Sequence, residues 1–220
     1  MIEITTSPSH WRRLGQAMAR GAAVYFWEPV CRVNEMQGTA LAFGGPAFTH
    51  LDLGQAKVIV DFAANFMQDH PTALRNSKQF SAGRKPESGR MSRLYVYEST
   101  YSITGGMADH RLRLAPSQVL QVAAMVASKV AEKTGKAIGS MVQDVDPPAD
   151  ESLRKWAGEC AADLVDNAGR ALVLAGSRQS EALNRIALAI NVALGSVGED
   201  KPLRLLETGA PEAGGLADLK

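Results

Sequence analysis

Cysteine is scarce in this sequence, and its scarcity excludes several kinds of site. The 220 residues contain only two cysteines, Cys31 and Cys160, which lie far apart in the chain. A disulfide framework and a CxxC motif for metal binding or redox chemistry both need more thiols at closer spacing. An iron–sulfur cluster generally needs about four thiolates. We therefore expect no such cluster in this chain by itself.

An excess of one charge and long hydrophobic runs are also lacking. The 24 Lys and Arg residues oppose 23 Asp and Glu residues, which leaves a net charge of +1. This balance predicts no electrostatic attraction to nucleic acid or to an anionic membrane. The richest apolar run, residues 186 to 194, is too short to span a bilayer and is interrupted by Asn191. Residues 1 to 4 are neither basic nor a long apolar stretch, so we expect no export signal or direct membrane insertion.

Motifs for nucleotide and metal binding are absent as well. The sequence has neither a G-x-G-x-x-G nor a G-x-x-x-x-G-K-[ST] run. Ser177 and Arg178 follow a predicted strand and precede a predicted helix, where they could hold an anion or form an ordinary turn with a surface arginine. The histidines have no helical i, i+3 or i, i+4 pairing that would place two imidazoles on one metal, which argues against a metal site. They are His10, His50, His70 and His110.

Strands and helices alternate along the first two thirds of the chain. Short apolar, β-rich runs predict strands at residues 22 to 27, 57 to 62 and 93 to 97, and residues 111 to 114 predict a short edge strand. The same patterns predict helices at residues 8 to 20, 34 to 41, 72 to 81 and 117 to 134. This alternation predicts an α/β fold with a mostly parallel, Rossmann-like sheet and helices on both faces. We expect the first three strands to be neighbours.

Two prolines, Pro147 and Pro148, mark the clearest interruption of the pattern, because neither continues a helix. We predict a first α/β domain at residues 1–142, a linker at 143–149, a second α/β segment at 150–207 and a loose tail at 208–220. In the second segment Asp150 is expected to cap a helix. The pattern then predicts a strand at 171 to 175, a helix at 180 to 194 and a strand at 203 to 206.

Three single residues have both a structural and a functional interpretation. Cys160 lies with Trp156 and Leu164 on the apolar face of its helix, which favours a core residue over a nucleophile. His70 follows a strand end and could touch a ligand, or it could cap the next helix. Glu98 ends the third predicted strand, where the carboxyl ends of parallel strands line a ligand crevice. It could bind a ribose or a base edge, or it could cap the following turn.

Several segments, in order and spacing, resemble the core of molybdopterin-dependent oxidoreductases. They are Ala56 to Val60, Ala64-Asn65-Phe66, His70-Pro71, Leu94-Tyr95-Val96, Thr104-Gly105 and Ala108 to Leu112. Further segments look closer to one branch, the molybdopterin-like iron–sulfur subunit of bacterial alternative complex III, which oxidises quinol at a membrane. They are Glu28-Pro29-Val30, Leu41 to Gly44, Asp61-Phe62, Leu94 to Thr100 and Met107 to Arg111. The resemblance runs from about Ser9 to Leu206 and implies a fragment, a split subunit or a stand-alone relative.

The departures from the enzyme pattern concern the cofactor contacts. Asn65-Phe66 stands where those enzymes have N-P, Glu98-Ser99-Thr100 where they have D-P-R, and Val119 where R-P-G-T-D ends. The resemblance thus implies a crevice of Asn65, His70, Glu98 and Thr104 that is a vestige of a cofactor site.

We expect a non-catalytic domain without its own cofactor or metal. Its partners would be other subunits of a membrane redox complex, including a ferredoxin-like iron–sulfur domain. The family complex lies at the periplasmic face of the bacterial inner membrane. The alternative is a subunit that binds molybdopterin guanine dinucleotide in an oxidoreductase.

Overall fold

A computed structural model of the chain describes residues 8–21, 32–43, 45, 47–89, 91–138, 142 and 145–207. The chain divides into two compact units. In the first unit, Met1–Cys31 with Gly209–Lys220, the described residues form one helix, α1 (Pro8–Met18), as the sequence predicts. The second unit, Arg32–Thr208, contains all the other described elements.

The second unit alternates strands and helices. Its elements are α2 (Val33–Phe43), β1 (Ala47–Leu51), β2 (Val58–Phe62), α3 (Ala73–Ala82), β3 (Arg93–Glu98), α4 (Ile103–Gly106), β4 (His110–Arg113), α5 (Pro116–Thr134), α6 (Glu151–Asp166), β5 (Ala171–Ala175), α7 (Glu181–Ala193) and β6 (Leu203–Glu207). The helices predicted near residues 34, 72, 117, 150 and 180 are confirmed. At α6, the Asp150 side chain accepts a hydrogen bond from the Ser152 amide, so the predicted N-cap is confirmed too.

A parallel four-stranded sheet lies at the centre of this unit, in the order β4-β3-β2-β5. Strand β2 pairs in parallel with β3 and with β5, and β3 pairs in parallel with β4. Every residue of β2 is buried, as expected for an inner strand covered on both faces. The parallel pairing predicted for residues 57 to 62 and 93 to 97 is confirmed. The strand predicted at residues 22 to 27 lies outside the described residues.

The direction of the chain across this sheet reverses once. From β2 the chain proceeds to β3 and then to β4, and it next crosses to the opposite side of β2 to form β5. Strand β5 comes from the segment after the predicted linker, so this segment completes the sheet begun by the earlier strands. The topological switch point therefore lies between β2 and β5. In open α/β sheets, the crevice at the carboxyl ends of such strands is the usual ligand site.

Side chains of the sheet alternate between two hydrophobic clusters. Val58, Val60 and Phe62 pack with α5, α6 and most of the buried face of α7. Ile59 lies on the other face with Phe80 of α3. Helices thus cover both faces of the sheet.

Strands β1 and β6 form a second, two-stranded antiparallel sheet in which His50 faces Arg204. The strand predicted at residues 203 to 206 is therefore present, but it does not join the parallel sheet. Strand β1 was not predicted, because Phe48, Thr49 and His50 do not form a continuous apolar run. Leu51 and Leu203, which face each other in this sheet, pack into the same cluster as Ile59.

The polar residue that interrupts the apolar run of α7, Asn191, bonds to the backbone of the neighbouring strand β5. Its amide nitrogen donates to the carbonyl oxygen of Val173 at 2.7 Å, and its amide oxygen accepts from the Val173 N–H at 2.9 Å. Val173 lies in β5, the edge strand of the sheet, whose outer backbone groups would otherwise be buried without partners. Asn191 thus takes the place of a further strand at that edge.

Candidate functional site

The turn after β2 is built around a buried carboxylate, Asp61, which is 0% exposed. Its Oδ1 accepts hydrogen bonds from the amides of Ala64 (2.6 Å) and Asn65 (3.4 Å), while Oδ2 is buried with no hydrogen-bond partner in the described structure. Ala63 and Asn65 have φ angles of 53° and 46°, a left-handed conformation that is strained for alanine and better tolerated by asparagine. Burial, opposed by these amide hydrogen bonds, raises the pKa of Asp61 to about 7. The carboxyl group therefore holds a strained turn at the switch point.

The switch point between β2 and β5 is closed by direct backbone contact. The N–H of Gly176, just after β5, donates to the carbonyl oxygen of Phe62 at 3.1 Å. A Cβ atom at Gly176 would lie only 2.2 Å from the carbonyl oxygen of Ala63. Only glycine fits at this position, because the two loops approach each other so closely.

Beside this contact lies a cavity of about 30 Å³. It is lined by residues of the two loops, α2 and β1, including Arg32, Glu35, Thr49, Phe66, His70 and Ser177. A second cavity, of about 40 Å³, shares Glu35 and Thr49 with the first and extends towards α7. Because one water needs roughly 10–15 Å³ measured in this way, each cavity has room for a few waters.

The charged groups of the first cavity satisfy each other. The Arg32 guanidinium donates to both carboxylate oxygens of Glu35, at 2.7 and 2.6 Å, and the Thr49 hydroxyl also donates to Glu35. Arg178, which follows Ser177, is exposed and lies 3.6 Å from the Asp69 carboxylate. The arginine in the predicted strand-to-helix turn therefore already has an acidic neighbour.

His70 lines the same cavity as Arg32 and Glu35, and one of its ring nitrogens has no hydrogen-bond partner among the described residues. Its Nδ1 lies 2.9 Å from the Thr72 hydroxyl and 3.2 Å from the Thr72 amide, while Nε2 is buried with no hydrogen-bond partner among the described residues. Burial, the nearby Arg32 and His50 lower the pKa of His70 to about 4. The ring is therefore neutral at physiological pH. Its contacts with Thr72, just before α3, fit the helix-capping interpretation.

Asn65 and Thr104 are brought into direct contact. The Asn65 Oδ1 accepts from the Thr104 hydroxyl at 3.1 Å and from its amide at 3.4 Å. The same hydroxyl oxygen accepts from the Met67 amide at 3.2 Å. These bonds tie α4 to the loop after β2, and Thr104 is completely buried.

Glu98 is bonded to groups of its own chain. Only 3% exposed, it forms an ion pair with Arg111 at 2.6 Å and accepts from the Ser102 hydroxyl at 2.6 Å. A Cβ atom at Gly105 would lie 1.9 Å from Glu98 Oε1, so α4 passes close over this carboxylate. Of the two interpretations of Glu98, these contacts favour a role in capping the following turn.

The described contacts of the four predicted site residues fall into three groups. Asn65 and Thr104 bond to each other, Glu98 bonds to Arg111 and Ser102, and His70 lies at the separate cavity towards α2. Sequence reasoning missed Asp61 as the central group of this region. The available signal was an acidic residue inside an otherwise apolar strand, because such a residue is rarely buried without a specific reason.

Three other residues, Asp109, His110 and Cys160, also have well-defined surroundings. Asp109 pairs with Arg84 at 2.6 Å, whereas His110 stacks on Tyr95 with ring centroids 4.5 Å apart, so the two neighbours do not form an acid–base pair. Cys160 is completely buried, as predicted for a core residue, and burial raises its thiol pKa to about 12. Trp156 is only half-buried, and Cys31 lies outside the described residues.

In the described part of the chain, no cluster of three or more His, Cys, Asp or Glu side chains is arranged to hold a metal ion. Within the same residues, no helix combines the length and the apolar character that crossing a membrane requires. Compared with known proteins, the chain matches no family model, and no curated protein is significantly similar to it in sequence.

Proposed function

We propose that this chain is a non-catalytic structural domain of a quinol-oxidising membrane redox complex, similar to the molybdopterin-like subunit of alternative complex III. The segments quoted above carry the resemblance, and the parallel α/β sheet flanked by helices is compatible with it. The sheet is a general one, so it supports the fold class and not the family by itself.

The observation that carries the proposal is that polar residues of the implied cofactor crevice already bond to other groups of the same chain. The Asn65 amide oxygen is bonded to Thr104, and the Glu98 carboxylate is bonded to Arg111 and Ser102. A pterin nucleotide would have to replace these bonds, and each bond to a charged group stabilises the fold by roughly 1.5–3 kcal/mol. The residues therefore support a structural role better than cofactor binding.

The small volume of the cavities at the switch point also supports a structural role. The two cavities measure about 30 and 40 Å³, whereas pockets for drug-sized ligands measure roughly 300–1,000 Å³. A dinucleotide is larger still. The Gly176 N–H already donates to the Phe62 carbonyl oxygen at the end of the β2–β5 ladder, so this donor is not free to bind a ligand. The described residues at the switch point therefore do not fit molybdopterin guanine dinucleotide.

A domain of this kind would act through its surface. Its partners would be other subunits of the complex, including a ferredoxin-like iron–sulfur domain, at the periplasmic face of the inner membrane. Electron transfer would use the cofactors of those partners.

Metal analysis of the purified chain tests the proposal. The chain is expressed in a host that makes the molybdenum cofactor, beside a known molybdopterin enzyme as a positive control, and both are analysed by mass spectrometry for molybdenum, tungsten and iron. We expect less than one tenth of an equivalent of each metal in the chain. About one molybdenum or tungsten per chain would refute the structural role and would favour the oxidoreductase subunit. A tagged chain should also retain a cysteine-rich iron–sulfur polypeptide from its native host.

A further inference from the structure

Three basic side chains from three different elements meet on the surface of the second unit. His50 of β1 faces Arg204 of β6 across the antiparallel pair, so both side chains lie on the same face of the two-stranded sheet. Arg75 of α3 reaches the same place, with its Nη1 2.6 Å from His50 Nε2. Both arginines are exposed and His50 is half-buried. We call His50, Arg75 and Arg204 the basic cluster.

Within the described residues, the two arginines of the basic cluster have no acidic partner in an ion pair. The acidic group near His50 is Asp52, whose Oδ1 accepts from the Gly54 amide and the Gln79 side chain. Arg75 instead donates to a neutral imidazole, which carries no compensating charge.

The electrostatics of His50 agree with this geometry. Burial, Arg75 and Arg204 lower the pKa of His50, against a smaller opposite effect of Asp52. His70, the other histidine close enough to interact with His50, is itself neutral at physiological pH. The cluster thus concentrates positive charge on the face of the two-stranded sheet that carries His50 and Arg204.

We propose that the basic cluster binds a phosphate group, held between the guanidinium groups of Arg75 and Arg204 with His50 as a third donor. A guanidinium presents a planar fork of donors that matches two oxygens of a phosphate. The anion would supply the negative charge that the cluster lacks and would favour the protonated form of His50, which then donates to it. The phosphate group can belong to a soluble ligand or to a lipid headgroup. This inference stands independently of the proposed function.

The test is a titration of the purified full-length chain with inorganic phosphate, in chloride buffers of constant ionic strength. The histidine ring signals are followed by NMR, and a His50→Gln variant assigns the signal of His50. We expect a saturable change in that signal and a higher His50 pKa in the presence of phosphate, because binding and protonation are reciprocally linked.

The variants Arg75→Gln and Arg204→Gln should each weaken phosphate binding about tenfold or more, since each removes bonds to a charged group. The variant Arg75→Lys should retain part of the affinity. Arg113→Gln, at an exposed position of β4, makes the same change in net charge and should leave binding unaltered. Circular dichroism and thermal unfolding establish that each variant is folded.

A second arm identifies the source of the phosphate group. Sedimentation with phosphatidylglycerol vesicles, compared with phosphatidylcholine vesicles, supports a lipid headgroup if retention needs both arginines and is reversed by free phosphate. A saturable phosphate response without vesicle binding supports a soluble ligand. Shifts that do not saturate, or an equal loss of binding in Arg113→Gln, would overturn the proposal.

Discussion

Replacing Asp61 with asparagine should change the pH dependence of stability in a defined direction. Asp61 is completely buried, and its pKa in the folded protein is raised from 3.8 to about 7, chiefly by burial. Between these values the folded state binds more protons than the unfolded state, so the free energy of unfolding falls as pH rises through this range. An asparagine at this position cannot ionise. Its side-chain oxygen can still accept from the Ala64 and Asn65 amides.

The size of the effect follows from the shift in pKa. Well inside the range between the two pKa values, 3.8 and about 7, each pH unit lowers the free energy of unfolding of the wild type by about 1.4 kcal/mol. From pH 5 to pH 7, with the folded-state carboxyl half ionised at the upper limit, Asp61→Asn should therefore gain about 2 kcal/mol of stability relative to the wild type. His70 has the opposite dependence, because its lowered pKa destabilises the folded state at acid pH. Its contribution is present in both proteins and cancels in the difference between them.

The assay is urea unfolding of the wild type and of Asp61→Asn at several pH values from 5 to 8, followed by circular dichroism. The new amide nitrogen replaces the unpartnered Oδ2, so the variant has a pH-independent offset, and the change with pH is the quantity to compare. Asp166→Asn, at the exposed end of α6, serves as a charge control. If the free energies of unfolding of wild type and Asp61→Asn differ by the same amount from pH 5 to pH 7, Asp61 does not have the raised pKa of a buried carboxyl group, and the reasoning is refuted.

Two further predictions concern packing. Gly105→Ala should destabilise the protein by about 2 kcal/mol in urea unfolding, because its Cβ would collide with Glu98, which is held by an ion pair. The matched control Gly158→Ala, in α6 with no atom within 4 Å of the new methyl group, should stabilise it by about 0.5–1 kcal/mol; equal effects would contradict the close approach at Glu98. In a Cys31→Ser variant, the thiol of Cys160 should react with a disulfide reagent only after denaturant is added, since it is buried and its pKa is raised to about 12. Rapid labelling of the native variant would show that α6 does not cover it.

Much of the parallel sheet could be predicted because the relevant signals are local. Residues 58 to 62 and 94 to 97 are short apolar runs, and an inner strand of a parallel sheet is buried on both faces. The valines of α5 repeat at helical spacing, and they are buried on one face as that spacing predicts. Asp150 was recognisable as a cap by its residue type and its position before the helix.

The β1–β6 pair could not be predicted in the same way. Its partners are separated by more than 150 residues, and His50 opposite Arg204 carries no pattern that would specify the pairing. In the candidate site, too, the contacts between distant segments could not be predicted from local sequence. Glu98 was singled out by its position at a strand end, and Asn65 and Thr104 by the family resemblance. Whether they stay free or bond to Arg111 and to each other depends on loops from separate strands.

The sequence alone determined most of the strands and helices, with β1 and α4 as exceptions, since burial and helical spacing are visible in neighbouring residues. It also showed which motifs are absent, because thiols and phosphate-binding motifs can be counted. Only the tertiary structure decided that Gly176 meets the loop after β2 and that Asp61 is completely buried. It also decided that three basic groups share one surface. These features depend on distances between segments far apart in the chain, which packing fixes and local patterns do not encode.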